Sequence, residues 1–364
     1  MELSRKVRWI NTLEGKETDR LVFWPKIFSD GYSRNQKSPF NHMSMREIFD
    51  FTDADMHIFL PNYINYQFSH SGYTEQKRGI LFIKTYKTPW KDLQSILRYD
   101  DVTDSYHPEI MAIKSREDIL SMTAFFQDLT PTINNEKLEK ACALSKEFAE
   151  RGLVADTIGE SPLMDFLEWY SGIENGQYLL ADYPEETEGL FAAMHRYLLE
   201  CTRLKCQYSP ADVLYLIENT STTIISPAQF TTYCKKHLTA YAEICKYNNR
   251  KLIFHMCGHI KKILPELRDI PFLGIEALSA PPIGNTTFYD ARSALPETSF
   301  IGGTNCLTWL KSPDKIIEEL EVYLAELKHW RQIIIGTGGI IPPACTPETL
   351  REVAGYLHSR PIKG

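Results

Sequence analysis

The second half of the chain repeats one pattern of apolar and polar positions: a short apolar run, a loop, and then a segment with helical spacing of its apolar residues. In the clearest repeat, the apolar run covers residues 211–217, and a helix begins at Ser226 and extends to about Tyr247. Ser226 is a suitable N-cap, Pro227 suits the first helical position, and Gln229 completes a capping box. Strands that alternate with helices in this way predict parallel βα units.

The same pattern recurs to the end of the chain, and it predicts a closed barrel. No Gly-x-Gly-x-x-Gly follows a predicted strand, and no Walker-type Gly-Lys-Ser/Thr occurs, so a nucleotide-binding doubly wound sheet is disfavoured against an α/β fold of the (β/α)8 TIM-barrel type. Further strands are predicted at 251–255, 272–278, 299–302 and 332–335, and further helices at about 260–267, from Ser312 and Pro313 to His329, and from Thr346 and Pro347 onward.

The first half is less regular. Residues 21–28 and 56–61 read as strands, and 136–151 as an amphipathic helix. Between them, 74–98 contains two β-rich runs and predicts a hairpin-like insertion that covers one mouth of the barrel. We therefore expect a single domain over 1–364, with an irregular N-terminal part to about 130 and regular βα repeats from about 150.

Composition excludes several classes of protein. The net charge of −7 and the isoelectric point near 5.9 argue against nucleic-acid binding. No run of about 18 apolar residues predicts a membrane span, and the N-terminus has no apolar signal region, so a cytoplasmic protein without membrane partners is expected. Eight cysteines spread along such a chain indicate reduced thiols.

The most informative motif is His255-Met-Cys257-Gly258 at the end of a predicted strand. Side chains of a strand alternate between its faces, so His255 and Cys257 point to the same side. A neutral imidazole and a thiolate at this spacing can occupy two of the four positions around a zinc ion, and Gly258 lets the backbone turn away directly afterwards. The alternative is a core histidine beside a buried cysteine.

Other polar residues also follow predicted strands, and active sites of parallel barrels form at that end. We take Glu218, Asn219 and Glu276 as candidate catalytic residues. A catalytic zinc usually has three protein ligands, and Cys345 is the first candidate for the third, with Cys306 and Glu276 as alternatives. The full set at the strand ends is Asp156, Glu218, Asn219, His255, Cys257, Glu276, Asn305, Cys306 and Cys345.

Three segments, 215–230, 254–258 and 341–348, resemble the uroporphyrinogen decarboxylase superfamily, specifically its corrinoid-dependent zinc methyltransferase branch. Residues 88–118 also resemble that branch. The resemblance implies a (β/α)8 barrel and matches His255 and Cys257 to the branch's His-x-Cys ligand pair. The branch's later cysteine falls on Gly339 here, so the substitution of Cys345 for it is our inference.

The resemblance implies a zinc enzyme that moves a methyl group between a small O-methyl or N-methyl donor and the cobalt of a corrinoid protein. The reverse use, from a methyl-corrinoid to a thiol or tetrahydrofolate, is an alternative. Residues 19–28 lack the family's arginine-rich segment for substrate carboxylates, which argues against porphyrinogen decarboxylation. A metal-independent lyase that uses Glu218 or Asp156, and a non-catalytic binding barrel, are the remaining hypotheses.

Overall fold

The computed structural model describes residues 2–101 and 104–363, and its strands follow the predicted repeats closely in the second half. The strands are Val22–Trp24 (β1), Met56–Phe59 (β2), Ile64–Gln67 (β3), Gly72–Arg78 (β4), Leu81–Lys87 (β5), Leu93–Asp100 (β6), Ser105–Ile110 (β7), Thr130–Ile133 (β8), Gly152–Gly159 (β9), Val213–Ile217 (β10), Leu252–His255 (β11), Gly274–Leu278 (β12), Ser299–Gly303 (β13) and Ile333–Gly336 (β14).

Helices connect these strands, and two π-helical segments, Phe166–Tyr170 and Phe230–Lys235, extend short helices. The α-helices are Arg5–Leu13 (α1), Gly31–Arg34 (α2), Met45–Thr52 (α3), Arg116–Asp128 (α4), Asn135–Phe148 (α5), Pro162–Asp165 (α6), Ile173–Asp182 (α7), Pro184–Tyr208 (α8), Pro227–Gln229 (α9), Lys236–Tyr247 (α10), Phe288–Ala294 (α11), Pro313–Ala325 (α12) and Pro347–Ser359 (α13).

Eight strands form one parallel sheet in the order β1-β14-β13-β12-β11-β10-β9-β2. Their apolar side chains are buried, as expected for parallel strands that are covered on both faces. This arrangement confirms the predicted TIM-barrel fold. It also brings the carboxyl ends of the strands to one mouth, where the candidate site residues lie.

A buried aspartate joins the two edge strands of this sheet. The backbone N–H of Asp55 donates to the carbonyl of Phe23 at 2.7 Å, and the Phe23 N–H donates to the Asp55 carboxylate at 3.0 Å. Arg8 and Arg20 form ion pairs with the same carboxylate at 3.1 and 2.7 Å. Strand β1 thus meets β2 through Asp55, which completes the barrel.

The predicted hairpin is larger than expected. Residues 72–100 and 105–110 form a four-stranded antiparallel sheet in the order β4-β5-β6-β7, where the sequence predicted two runs within 74–98. The sheet packs on α4 and on the π-helical segment after β9: the Tyr86 ring lies 5.3 Å from the ring of Phe125 and 5.9 Å from that of Tyr170. It therefore stands beside the mouth of the barrel where β9 ends.

Three predicted boundaries were wrong for local reasons. The strand predicted at 21–28 ends at Trp24, because Pro25 has no N–H and Lys26 has a positive φ of 52°. The helix predicted near 260–267 is only a 3-10 turn at Leu264–Leu267. Helix α12, which was predicted to extend to His329, ends at Ala325. Within the described ranges, no helix is both long enough and apolar enough to cross a membrane.

Candidate active site

The centre of the candidate site is a buried row of charged side chains at the ends of β11 and β12. His255 Nδ1 makes a short hydrogen bond to the Glu276 carboxylate, and Lys26 Nζ lies 2.7 Å from the other Glu276 oxygen. Burial opposes ionisation of Glu276, but Lys26 and His255 outweigh it and lower its pKa to about 2. Burial likewise lowers the pKa of His255, yet the Glu276 carboxylate raises it to about 9 overall.

Cys257 lies on the same side of the chain as His255, as the alternation predicted, and it is close enough to His255 to contribute to the raised pKa of the imidazole. Gly258 follows with a φ of 94°, a left-handed conformation that a side chain would strain, so the expected turn is present. Because Glu276 holds Nδ1 of His255, the imidazole is oriented by a carboxylate. Such an arrangement is common for histidines that ligate metals.

Asn219 connects this pair to a group of acidic side chains. The thiol of Cys257 lies 3.5 Å from Asn219 Oδ1, and the Asn219 amide donates to Glu168 at 2.7 Å. The same amide nitrogen lies 3.5 Å from Glu160, which also accepts from the Trp169 indole at 3.3 Å. The structure thus brings Asn219, as predicted, together with His255 and Cys257. Its catalytic role stays a prediction.

The two glutamates beside Asn219 are poor acids in this setting. Burial raises the pKa of Glu160 well above its usual value, and the nearby Glu168 and Asp165 carboxylates add to the shift. Burial also raises the pKa of Glu168, although the hydrogen bond from Asn219 opposes this shift. These groups hold protons more readily than exposed carboxylates do, which is a frequent property of functional sites.

The third predicted zinc ligand does not join the pair. Burial raises the pKa of the Cys345 thiol to about 12. The backbone carbonyl of Cys345, and not its thiol, accepts a hydrogen bond from the Tyr32 hydroxyl. Among residues 2–101 and 104–363, no group of three or more His, Cys, Asp and Glu side chains has the arrangement of a metal site. The ligand roles of His255 and Cys257 stay a prediction, and Cys345 does not complete a three-ligand set with them among the described residues.

Two other candidates have structural partners instead. Glu218 is fully buried and accepts hydrogen bonds from the N–H and hydroxyl of Ser161 at 2.9 and 2.6 Å, and burial raises its pKa to about 7. Asp156 lies inside β9, where it pairs with Lys205 at 2.7 Å. The expectation that Asp156 lies at the strand end was wrong, which leaves Glu218 as the acid or base of the lyase hypothesis.

The remaining predicted residues at the strand ends are Asn305, Cys306 and Glu276. The Asn305 side chain accepts from the Leu307 and Thr308 N–H groups and so stabilises the turn after β13. Cys306 is partly buried in that turn, and among the described residues it belongs to no group of three potential metal ligands. Glu276, predicted both as a catalytic residue and as an alternative ligand, contacts His255 and forms an ion pair with Lys26, and both predicted roles stay predictions.

A cavity of about 340 Å³ adjoins this site on the side of Glu160. It lies between the end of β9, the β4–β7 sheet, α4 and α8. Asp165 and Trp169 contribute to its wall, and Asn219 connects Glu160 to Cys257. This cavity was not predicted, because its lining comes from many separate segments of the chain.

Ionisation of Asp165 in this cavity is expected to lower the free energy of unfolding at neutral pH. Burial raises its pKa from 3.8 to about 7, with Lys84 opposing and Glu168 reinforcing the shift, and Glu160 also lies nearby. The folded protein therefore binds this proton more tightly than the unfolded chain, so stability falls as the pH rises from about 4 to about 7.

Asp165→Asn is thus predicted to raise the free energy of unfolding at about pH 8 by roughly 1–3 kcal/mol, and to raise it less at about pH 5. Urea unfolding at both pH values measures the effect. Asp182→Asn, which changes an exposed carboxylate of α7, is the matched control. An equal effect of Asp165→Asn at both pH values would contradict the prediction.

Several residues of the candidate site were not predicted from the sequence. Lys26 was placed within a strand, although its position after Trp24 and Pro25 marks the end of β1. Glu160 directly follows β9, and strand-end reasoning finds it once β9 is known to continue past Asp156. Asp165 and Glu168 lie in α6 and its π-helical extension, where no local pattern separates them from surface carboxylates.

Comparisons with known proteins agree with this fold. The model of the family described as uroporphyrinogen decarboxylase (URO-D) matches residues 170–360, more than half of the chain. No curated protein sequence matches the chain.

Among solved structures, a methyltransferase from Methanosarcina mazei is similar, with a TM-score of 0.62, 14% identity, and coverage of 97% of this chain and 98% of that one. Weaker similarity is found to D-psicose 3-epimerase, with a TM-score of 0.36, 11% identity, and coverage of 61% and 81%. At these identities, the similarity to the Methanosarcina protein shows a shared fold.

Proposed function

We propose that this chain, which belongs to the uroporphyrinogen decarboxylase family, is a methyltransferase that moves a methyl group from a small methylated donor to the cobalt of a corrinoid protein. The observation that carries the proposal is the His255 and Cys257 pair at the barrel mouth, with Glu276 holding the imidazole. The full-length similarity to the Methanosarcina methyltransferase supports it. Family membership confirms the resemblance seen in the sequence.

We further propose that His255 and Cys257 hold a zinc ion. Zinc bound here would supply a Lewis acid, or would keep a bound thiol as its thiolate. Glu276 would fix the imidazole orientation, and Lys26 would balance the Glu276 charge. Since the described residues offer no third ligand, we assign no reaction step to the ion.

The chain's own residues have the following parts in this proposal. Asn219 connects Cys257 to Glu160 and so joins the His255 and Cys257 pair to the adjoining cavity. The cavity is large enough for a small molecule, and aromatic side chains line part of its wall. The cobalt of the corrinoid partner would supply the nucleophile, and this partner would dock at the barrel mouth where His255 and Cys257 lie.

The test is an assay of methyl transfer to free cob(I)alamin, with guaiacol as the O-methyl donor and choline as the N-methyl donor. Methylcobalamin formation, followed by its absorbance, is expected with wild type. Cys257→Ala is expected to lower the rate by at least about a hundredfold. Even mutation of a residue that only hydrogen-bonds to a metal ligand typically lowers activity by about 10–100-fold. Elemental analysis of the same samples is expected to show zinc in wild type and its loss in Cys257→Ala.

Cys345→Ala is the matched control, because the structure separates this thiol from the pair. It is expected to retain both zinc and activity. Zinc loss in Cys345→Ala would restore the three-ligand site. Carbon dioxide release from a carboxylated substrate, with no methyl transfer from either donor, would replace the proposed function by the lyase hypothesis.

A further inference from the structure

The cavity beside Glu160 has a closed ring of aromatic side chains in its wall. Each ring in the series contacts the next, and the last contacts the first, at centroid distances between 5.3 and 6.1 Å. We call this set the aromatic cage. Its members, in order of contact, are Tyr66, Tyr73, Tyr86, Tyr170, Phe126 and Tyr197.

The cage presents neutral aromatic rings. Burial raises the pKa of Tyr73, Tyr86 and Tyr170, so these phenols keep their protons in the physiological range. The face of a neutral aromatic ring carries partial negative charge and attracts a cation, most strongly when the cation is desolvated. Enclosure by aromatic rings is the usual means by which proteins bind methylated ammonium groups.

Two carboxylates stand in the same wall without partners that would satisfy them. The Asp165 side chain has neither a hydrogen bond nor an ion pair in the described part of the chain. Glu160 Oε2 is a buried oxygen that, again among the described residues, has no hydrogen-bond partner. A buried polar atom without a partner is costly, and a buried charge without one is more so. A cationic ligand would stabilise the ionised form of both side chains, which burial otherwise keeps protonated more readily than exposed carboxylates.

The two lysines of the cavity do not remove this acidic character. Lys205 is already paired with Asp156, and its ammonium lies 3.8 Å from the centre of the Tyr63 ring. Lys84 attracts Asp165 but forms no ion pair with it among the described residues. Lys84 is therefore available to the hydroxyl or anionic end of a ligand whose cationic end lies in the cage.

We propose that the cavity binds a small N-methylated ammonium compound, with its cationic head in the aromatic cage beside Asp165 and Glu160. This assignment rests on the proposed methyl transfer, and it names the class of donor for that reaction. A neutral aromatic methyl ether fits the volume, but it would leave the Asp165 carboxylate without a partner.

A quaternary ammonium donor suits the site chemically. The cobalt of the corrinoid provides an electron pair that forms the cobalt–carbon bond, and the carbon–nitrogen bond breaks. Its electron pair stays on nitrogen, so a neutral tertiary amine leaves and no proton is needed. Asp165 and Glu160 bind the cationic donor, and the departing amine lacks its permanent charge and takes up a proton only after the carbon–nitrogen bond has broken.

The test is isothermal titration of the purified protein, without corrinoid, using choline and its neutral carbon isostere 3,3-dimethylbutan-1-ol. Choline is expected to bind at least about tenfold more tightly than the isostere. Asp165→Asn is expected to weaken choline binding by about tenfold, and Tyr170→Leu by about fivefold. Two exposed residues of α7 supply the matched controls Asp182→Asn and Tyr178→Leu, for which no change is expected.

Equal affinity for choline and the isostere, or no binding of choline, would overturn the inference. It would also be overturned if Asp165→Asn and Tyr170→Leu both bind choline as wild type does. Because binding needs no corrinoid, failure of the two proposals can be distinguished. Methylation of cob(I)alamin by guaiacol without choline binding removes only the ammonium donor, whereas choline binding without methyl transfer from either donor removes only the proposed function.

Discussion

Replacing Lys205 by methionine is expected to lower the free energy of unfolding by about 3–5 kcal/mol, because it leaves a buried carboxylate without its counter-charge. Lys205 Nζ lies 2.7 Å from Asp156, and each side chain is 2% exposed or less. The hydroxyls of Tyr63 and Ser209 would remain as hydrogen-bond donors to Asp156, each at 2.7 Å. They do not neutralise its charge. Urea unfolding followed by circular dichroism measures the loss.

A second substitution separates the charge effect from lost packing. Asp156→Asn in the Lys205→Met background removes the orphaned charge and is expected to restore at least about half of the lost stability. The control is Lys140→Met, which breaks an exposed pair with Glu136 and should change stability by about 0.5 kcal/mol or less. If Lys205→Met behaves like Lys140→Met, the pair is not the determinant of stability that the structure indicates.

Asp156 also shows where prediction from sequence stops. The apolar run before it reads as a strand that ends at a charged residue, which is the usual position of a catalytic side chain in a barrel. In the structure β9 continues to Gly159, and Asp156 is neutralised by a lysine 49 residues further along the chain. Local hydrophobic pattern cannot show such a partner, so a buried ion pair was mistaken for a site residue.

The barrel itself was predictable for a physical reason. Its parallel strands are buried on both faces and therefore appear as short apolar runs, and the capping residues after them mark the helices. Ser226 forms the predicted capping box with Gln229, and Thr346 caps α13 as expected. The β4–β7 sheet was harder to delimit, because much of its surface is exposed and its apolar pattern is correspondingly weak.

The candidate site was also predictable only in part. Alternation of side chains, continued two residues past the end of β11 at His255, predicted that His255 and Cys257 share a side, and the structure agrees. The contact of Glu276 with Lys26 depends on how β1 ends, at Pro25 and a left-handed Lys26, which the pattern did not reveal. The aromatic cage was beyond sequence reasoning altogether. Its six members lie on separate elements: Tyr66 on β3, Tyr73 on β4, Tyr86 on β5, Phe126 on α4, Tyr170 on the π-helical segment and Tyr197 on α8.

These contacts make Glu276 and His255 unequal targets for mutation. Replacing Glu276 would leave Lys26 buried without its partner, so any loss of activity would be confounded with loss of stability. Removing the His255 imidazole leaves the pair of Lys26 and Glu276 in place. His255 is therefore the residue at which the function of the pair with Cys257 can be tested while the fold is kept.

His255→Ala is accordingly expected to lower the rate of the proposed methyl transfer to cob(I)alamin by at least about a hundredfold, through loss of a ligand to the proposed zinc ion. His259→Ala provides the matched control in the same loop, since His259 contacts Ser221 and Thr222 through its backbone, which alanine retains. It should change the rate by about twofold or less. Rates, zinc content and thermal unfolding are measured together on both variants. Equal rates in the two variants, or a rate loss in His255→Ala that merely follows unfolding, would remove the imidazole from the reaction and leave it a structural partner of Glu276.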